Sequence, residues 1–169
     1  MSGLSGSTAL VTGASRGFGR GIATALAKEG AAVTGVARDR DRLAELALQI
    51  GPAFTPVAAD VTDPVVAGQL IDQVTPTVLV LNAGTAPLSR PLHQHTWESF
   101  SRPWEVDVRQ AFHWSREALL RPLAPGSVVV VMSSGAAVAG SPLSGGYAGA
   151  KATIRFMAAY ADDEAQRAA

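Results

Sequence analysis

A tyrosine and a lysine stand four residues apart in the segment GGYAGAKATI, residues 145–154. Residues at positions i and i+4 of a helix lie on one face about 5–6 Å apart, so Tyr147 and Lys151 would share one small volume. A lysine ammonium beside a phenol favours the ionised phenolate, which would prepare the tyrosine for proton exchange. The alternative is that the tyrosine packs on the helix and the lysine lies in solvent.

A glycine-rich loop near the N-terminus is the second candidate for chemistry. The segment TGASRGFGRG, residues 12–21, follows a short apolar run and precedes a helical pattern. Glycines let the backbone turn tightly and approach a pyrophosphate, whose charge then meets free N–H groups at the start of the helix. In this context the loop predicts nucleotide binding, whereas a bare glycine triplet would serve a tight turn and close packing equally well.

Short apolar runs that alternate with segments of helical period must position both motifs. We predict strands at 8–13, 31–37, 54–60, 77–84 and 127–134, and helices at 17–29, 40–50, 64–74, 97–120 and 147–167. Continuous hydrophobicity within each run is typical of parallel strands covered on both faces, which predicts an α/β fold with a doubly wound parallel sheet. Asp39 or Asp41 is expected to cap the second helix, and Asp63, before Pro64, the third. The segment 85–97 is expected to be a loop on the ligand-binding side.

Composition limits the function classes. The 169 residues suit one domain, residues 1–169, and the 14 basic and 14 acidic residues give no electrostatic reason to expect a nucleic-acid or anionic-membrane partner. No apolar run reaches membrane-spanning length. The absence of cysteine excludes disulfides and thiolate chemistry, and it suits the cytoplasm. His93 and His95 could bind a metal ion, but no third ligand is evident, so no metal site is predicted.

Three motifs together resemble the short-chain dehydrogenase/reductase family in its common, non-extended type. They are Gly13-x-x-x-Gly17-x-Gly19, Asn82-Ala83-Gly84 and Tyr147-x-x-x-Lys151, in this order along the chain. The resemblance implies a Rossmann-like sheet, a nicotinamide dinucleotide, and hydride exchange between alcohol and carbonyl carbons of a small-molecule substrate. It also implies a homodimer or homotetramer formed through the helices predicted at 97–120 and 147–167.

The resemblance implies which residues bind the cofactor. They are Gly13, Ser15, Arg16, Gly17, Phe18, Gly19, Arg38, Asp60, Val61, Asn82, Ala83, Gly84, Tyr147 and Lys151. Ala37 stands where NAD-preferring relatives carry an acid, and Arg38 follows it. A guanidinium group pairs with phosphate through parallel hydrogen bonds, so NADP(H) is favoured over NAD(H). The alternative is that Arg38 pairs with Asp39 or Asp41 as a solvated loop charge.

The resemblance also implies a catalytic set of Ser134, Tyr147, Lys151 and Asp107. The serine of the family lies thirteen positions before the tyrosine, which selects Ser134 over Ser133 as the donor to the substrate oxygen. Tyr147 would act as general acid or base, and Lys151 would also bind the nicotinamide ribose. Asp107 departs from the family pattern, in which an asparagine supports a water chain to the lysine. An ionised carboxylate here would add negative charge near Lys151.

The resemblance finally implies a longer chain. Family members continue past the fifth helix into further strands and a substrate-binding loop, whereas this sequence ends at DDEAQRAA, residues 162–169. The uncharged segment VVVVM, residues 128–132, would then form an exposed sheet edge, which native proteins avoid. We therefore expect an NADP(H)-dependent oxidoreductase that lacks its last strands and whose chain is a fragment. The alternative is a truncated, catalytically silent module that binds nucleotide or oligomerises.

Overall fold

One parallel sheet contains every strand of the described chain. The computed structural model describes residues 3–168, so residues 1–2 and 169 of the predicted domain lie outside the described part. The strands are β1 (Thr8–Thr12), β2 (Ala32–Ala37), β3 (Phe54–Ala58), β4 (Val78–Leu81) and β5 (Val128–Val131). Their order is β3-β2-β1-β4-β5. All neighbours are parallel. This is the predicted doubly wound fold, and strand addition changes direction between β1 and β4.

Helices follow each strand, as the alternation of patterns predicts. They are α1 (Gly17–Lys28), α2 (Arg40–Ile50), α3 (Pro64–Val74), α4 (Trp97–Pro103), α5 (Arg109–Leu120), α6 (Ala136–Ala139) and α7 (Tyr147–Ala168). Of the two candidate caps for α2, Asp39 is the one that accepts, from the backbone N–H of Arg42 at 3.1 Å. Asp63 caps α3 by accepting from the N–H of Val65 at 2.8 Å. Both helix starts are therefore fixed by side-chain acceptors that the sequence displays.

The helix predicted at 97–120 has the right extent but is not uniform. A π-helical segment, Trp104–Val108, lies between α4 and α5. It begins directly after Pro103, which has no backbone N–H and so interrupts the regular hydrogen-bond ladder. Segments of this kind are rare and occur often at functional sites. The short helix α6 and a 3-10 turn at Leu92–Gln94, within the predicted loop 85–97, are further elements that the pattern did not predict.

Apolar side chains cover the central strands on both faces. On one face Leu43 and Leu46 of α2 pack with residues of β1 and β2. On the other, Ile71 of α3 and Trp114 of α5 pack with residues of β1 and β4. Trp114 is fully buried, and its indole N–H donates to the carbonyl of Val61 at 2.9 Å. The buried polar end of this large side chain is thus satisfied, and the loop after β3 is tied to α5.

Strand β5 lies at one edge of the sheet, as expected. Val128, Val129 and Val130 are 53%, 42% and 41% exposed. Because successive residues of a strand point to opposite faces, both faces of β5 are open as well as its outer edge. Within residues 3–168, every helix is too short or too polar to cross a bilayer.

Candidate functional site

A cleft of about 870 Å³ opens where four strands end. Its walls come from the loops that follow β1, β2, β3 and β4, together with the helical stretch from α4 to α5. In a doubly wound sheet this is the crevice where ligands bind. Ten of the residues predicted to bind the cofactor line it: Gly13, Ser15, Arg16, Gly17, Arg38, Asp60, Val61, Asn82, Ala83 and Gly84.

The glycine loop has a backbone that only glycine tolerates well. Gly13 and Gly17 have φ angles of +69° and +54°, in the left-handed region. A Cβ on Gly19 would lie 2.2 Å from the carbonyl oxygen of Gly13, so the loop rests directly on the first turn of α1. Arg16, at the start of that helix, makes no side-chain cap. The loop and the uncapped helix start therefore fit the pyrophosphate of a dinucleotide.

Asn82 holds this loop in place. Its side-chain amide donates to the carbonyl oxygens of Thr12 at 3.1 Å and Gly13 at 3.4 Å. The backbone N–H groups of Asn82 and Ala83 donate to the Thr12 hydroxyl at 2.9 Å and 3.1 Å. These bonds join the ends of β1 and β4, the parallel strands between which the order of strand addition reverses. Asn82 therefore supports the glycine loop at the base of the cleft.

Four residues of the predicted cofactor set are not in the cleft wall. Phe18 is 80% exposed, and Gly19 is buried under the loop. Tyr147 and Lys151 lie at the start of α7. The sequence interpretation also missed lining residues, among them Arg42, Arg102 and Arg109. Arg42 lies in the first turn of α2, four residues after Arg38, and this proximity is visible in the sequence. Arg102 and Arg109 flank the π-helical segment, which alters the phase of the helix.

Positive charge predominates in the cleft wall. Among residues 3–168, five arginines line it, Arg16, Arg38, Arg42, Arg102 and Arg109, against three acids, Asp39, Asp60 and Glu105. Arg42 pairs with Asp39 at 3.2 Å and Arg109 with Glu105 at 3.6 Å. Both pairs are about half exposed, so they hold these side chains only weakly. The wall therefore has a positive excess that suits an anionic ligand.

The carboxyl group of Asp60 has a pKa below its ordinary value. The chief cause is the backbone N–H of Thr62, which donates to the carboxylate at 2.9 Å. Partial burial opposes this effect, whereas the Thr62 hydroxyl and the charges of Arg38 and Arg109 add to it. Asp60 is thus held ionised where β3 ends.

This lowered pKa predicts a pH-dependent stability. A carboxylate whose pKa falls on folding stabilises the protein above its unfolded pKa, and this contribution is lost as the pH falls through the folded value. We expect the wild type to be more stable than Asp60→Asn at about pH 6, and the gap to narrow below about pH 4. Urea midpoints measured by circular dichroism across this range test the expectation. Parallel curves for the two proteins would contradict it.

Tyr147 and Lys151 do share one volume. The ammonium of Lys151 lies 5.7 Å from the centre of the Tyr147 ring. It donates to the carbonyl oxygen of Met132, just past β5, at 3.1 Å, and lies 3.0 Å from Oδ2 of Asp107. Lys151 is 6% exposed, so this is not a solvated surface lysine. The alternative that the sequence left open for Lys151 is wrong.

The two serines after β5 have different contacts. The Ser133 hydroxyl donates to the carbonyl oxygen of Lys151 at 2.9 Å, which fastens the strand end to α7. The Ser134 hydroxyl accepts from the N–H of Ala136 at 3.2 Å, in the first turn of α6. An oxygen that accepts from this amide keeps its own proton available for a ligand.

The loop at 85–97 packs against the segment that precedes Tyr147. The N–H of Arg90 donates to the carbonyl oxygen of Leu143 at 2.7 Å. A Cβ on Gly146 would lie 2.2 Å from the carbonyl oxygen of Phe100, so the start of α7 fits closely against α4. His95 bonds to Ser99 at 3.0 Å. In residues 3–168 no group of three or more histidine or acidic side chains is arranged to hold a metal ion.

Comparisons with known proteins agree with the resemblance carried by the three motifs. The sequence model described as short chain dehydrogenase matches residues 7–168. Hydroxynaphthalene reductase of Aspergillus fumigatus is 35% identical over 89% of this chain and 58% of its own. Carbonyl reductase [NADPH] 2 of Sus scrofa is 34% identical over 76% and 54%. The chain thus spans little more than half the length of these curated relatives.

A solved structure gives the same result for the fold. The crystal structure of a 3-ketoacyl-(acyl-carrier-protein) reductase from Brucella melitensis, complexed with NADH, superimposes with a TM-score of 0.81 at 27% identity. The match covers 96% of this chain and 73% of the reductase chain. The resemblance carried by the three motifs therefore extends to nearly the whole described backbone.

Proposed function

The chain belongs to the short-chain dehydrogenase family, and from this membership we propose that it is an oxidoreductase that exchanges a hydride between NADP(H) and a carbonyl or secondary alcohol group. The observation that carries the proposal is the buried Lys151 ammonium 5.7 Å from the Tyr147 ring. A positive charge held in this way favours the phenolate that remains after proton donation.

The proposed chemistry divides between the dinucleotide and three side chains. The nicotinamide ring, when bound, supplies the hydride to the carbonyl carbon in reduction and accepts it in oxidation. In reduction Tyr147 donates its phenolic proton to the substrate oxygen, and in oxidation it takes that proton back. Ser134 donates a hydrogen bond to the same oxygen, which holds it beside the phenol. Lys151 stabilises the phenolate and binds the nicotinamide ribose.

The preference for NADP(H) rests on the loop after β2. Ala37 offers no carboxylate to the adenine ribose, and Arg16, Arg38 and Arg42 line this end of the cleft. Guanidinium groups suit a phosphate through paired hydrogen bonds. One relative is named carbonyl reductase [NADPH] 2, and the solved reductase is a complex with NADH, so NADPH and NADH both occur among the similar proteins.

Calorimetric titration of the purified protein with NADPH and with NADH tests the proposal first. We expect tight binding of NADPH, weak binding of NADH, and turnover of at least one carbonyl in a substrate screen. NADPH binding without turnover of any carbonyl would favour the second candidate, a nucleotide-binding module without catalysis, for which the open faces of β5 argue. If neither nucleotide binds, both candidates fail for this chain.

Replacement of Arg38 tests the cofactor preference. We expect Arg38→Ala to weaken NADPH binding by about 10- to 100-fold, because a hydrogen bond to a charged group contributes about 1.5–3 kcal/mol. Binding of NADH should change little. Arg40→Ala is the matched control. It removes the same charge only two residues along the chain, but the Arg40 side chain does not belong to the cleft wall. Equal losses for both nucleotides, or equal losses in both variants, would contradict the role of Arg38.

We further propose a homodimer or homotetramer that forms through α4, α5 and α7. Phe112 and Leu120 of α5 and Phe156 and Tyr160 of α7 are 49%, 59%, 61% and 67% exposed. The rings of Phe156 and Tyr160 stack with centroids 6.4 Å apart, which makes a continuous aromatic surface. Burial of such a surface in an oligomer would be favourable. A cytoplasmic location is proposed from the absence of cysteine in the sequence.

A further inference from the structure

Asp107 is a fully buried carboxylate that touches the proposed catalytic lysine. Its Oδ2 lies 3.0 Å from the ammonium of Lys151, and the side chains of the two residues are 0% and 7% exposed. A charge so deeply buried is tolerated only when it is paired and hydrogen-bonded. The pair is therefore a direct contact between two desolvated charges, at a position where the family pattern has a neutral amide.

The second oxygen of Asp107 is also engaged. Oδ1 accepts from the backbone N–H of Thr85 at 2.7 Å and lies 3.3 Å from the Thr85 hydroxyl. A Cβ on Gly84 would come within 2.7 Å of Oδ2, so the loop after β4 packs closely on the carboxylate. Asp107 lies in the π-helical segment Trp104–Val108, which presents its side chain to this loop and to α7 at once.

These contacts fix the position of the Lys151 ammonium. The Lys151 ammonium has three N–H donors; one is directed to the Met132 carbonyl, and Asp107 lies at a comparable distance. The groups that face the ion pair are Thr85 and Gly84 from the loop after β4, the Met132 carbonyl from the end of β5, and Tyr147 from α7. Tyr147 is the titratable group among these contacts.

We propose that Asp107 is a positioning residue that holds Lys151 through this ion pair and, by partly neutralising its charge, sets the pH at which Tyr147 exchanges its proton. The inference rests on the proposed oxidoreductase function. An asparagine at 107 could accept only at its oxygen and would turn amide protons toward one of two donors, Thr85 or Lys151. A carboxylate accepts from Thr85 through Oδ1 and keeps Oδ2 as an ionic contact 3.0 Å from the Lys151 ammonium, and it also brings a negative charge that disfavours the phenolate.

The test is the pH dependence of kcat/KM for reduction of 2,3-butanedione by NADPH. Reduction needs the protonated phenol, so the rate falls at high pH as Tyr147 loses its proton. Removal of the negative charge in Asp107→Asn should favour the phenolate and move this alkaline limb to lower pH by about one unit. Asp107→Glu keeps the charge and should leave the limb in place even where the rate falls. Glu98→Gln, which removes one exposed charge from α4, should behave as the wild type.

The proposal would be overturned if the alkaline limb of the kcat/KM profile lay at the same pH for Asp107→Asn and the wild type. It would also be overturned if Asp107→Glu moved this limb as far as Asp107→Asn does. A displacement confined to Asp107→Asn supports it. Loss of rate without displacement in both variants would indicate a packing role only and would also overturn the proposal.

A second measurement does not depend on activity. Urea midpoints of Asp107→Asn, Lys151→Met and the double variant give the coupling between the two charges. Each single variant leaves one buried charge without its partner. The double variant should therefore be at least as stable as the less stable of the two single variants. Additive losses would overturn the ion pair. If the wild type reduces no carbonyl, the proposed function fails, and this cycle still decides whether Asp107 holds Lys151.

Discussion

The Tyr147→Phe variant is expected to reduce a carbonyl substrate about 10²- to 10⁴-fold more slowly than the wild type, with NADPH affinity little changed. Phenylalanine keeps the aromatic ring against which the Lys151 ammonium lies at 5.7 Å, but it has no proton to give. Binding and folding should therefore survive while the proton transfer is lost. Single-turnover rates, together with calorimetric titration of NADPH, measure the two effects separately.

The chain offers a matched control for this substitution. Its two tyrosines both lie on α7, and Tyr160 is 67% exposed and stacks on Phe156. Tyr160→Phe removes the same hydroxyl from the same helix at a distance from the Lys151 ammonium, so its turnover should match the wild type. If Tyr147→Phe retained more than about a tenth of the wild-type rate, the proposed general acid would be wrong.

The second large effect is expected at Gly19. In Gly19→Ala the added methyl group would lie 2.2 Å from the carbonyl oxygen of Gly13 and 2.5 Å from the Asn82 amide nitrogen. The first is a backbone atom and the second is held by two hydrogen bonds. The glycine loop must therefore move away from α1, which should lower the free energy of unfolding by about 1–3 kcal/mol. We expect a lower urea midpoint and at least about a tenfold loss of NADPH affinity, since about 1.4 kcal/mol corresponds to tenfold.

Gly21 provides the comparison. It lies on the same helix two residues further on, and a Cβ there would meet no atom of the described chain within 4 Å. Gly21→Ala should leave nucleotide binding intact and raise stability by up to about 1 kcal/mol, because alanine favours the helix over glycine. Equal behaviour of the two variants would show that the close approach of Gly19 to the loop is not what shapes the cleft.

The sequence predicts the strands, the helices and the glycine loop well, because residues close together in the chain determine each of them. Continuous apolar runs mark the strands, and Asp39 and Asp63 cap the helices that follow β2 and β3. The glycine loop is recognisable because its left-handed residues, Gly13 and Gly17, admit few other residue types. Each of these signals lies within a few residues of the structure that it specifies.

Features that depend on distant residues could not be predicted in the same way. The π-helical segment after Pro103 shifts the helical phase, so the pattern could not show that Arg102 and Arg109 face the cleft. The family spacing from Tyr147 predicts Ser134 as the donor to the substrate oxygen, but only the folded chain shows that Ser133 is bonded to the Lys151 carbonyl. The 3.0 Å contact between Asp107 and Lys151 joins residues on separate helices, and no local pattern encodes such a distance.

The hydrogen bond from Trp114 to the Val61 carbonyl links the fluorescence of a buried tryptophan to the wall of the cleft. Val61 lines the cleft, whereas Trp114 is fully shielded from water, unlike Trp97 and Trp104, which are 78% and 38% exposed. Acrylamide should therefore quench the emission of the two outer indoles first and leave the blue-shifted emission of Trp114. A ligand seated against Val61 should change the polarity near this bond, so we expect the wavelength of the residual emission to report occupancy of the cleft without any added label.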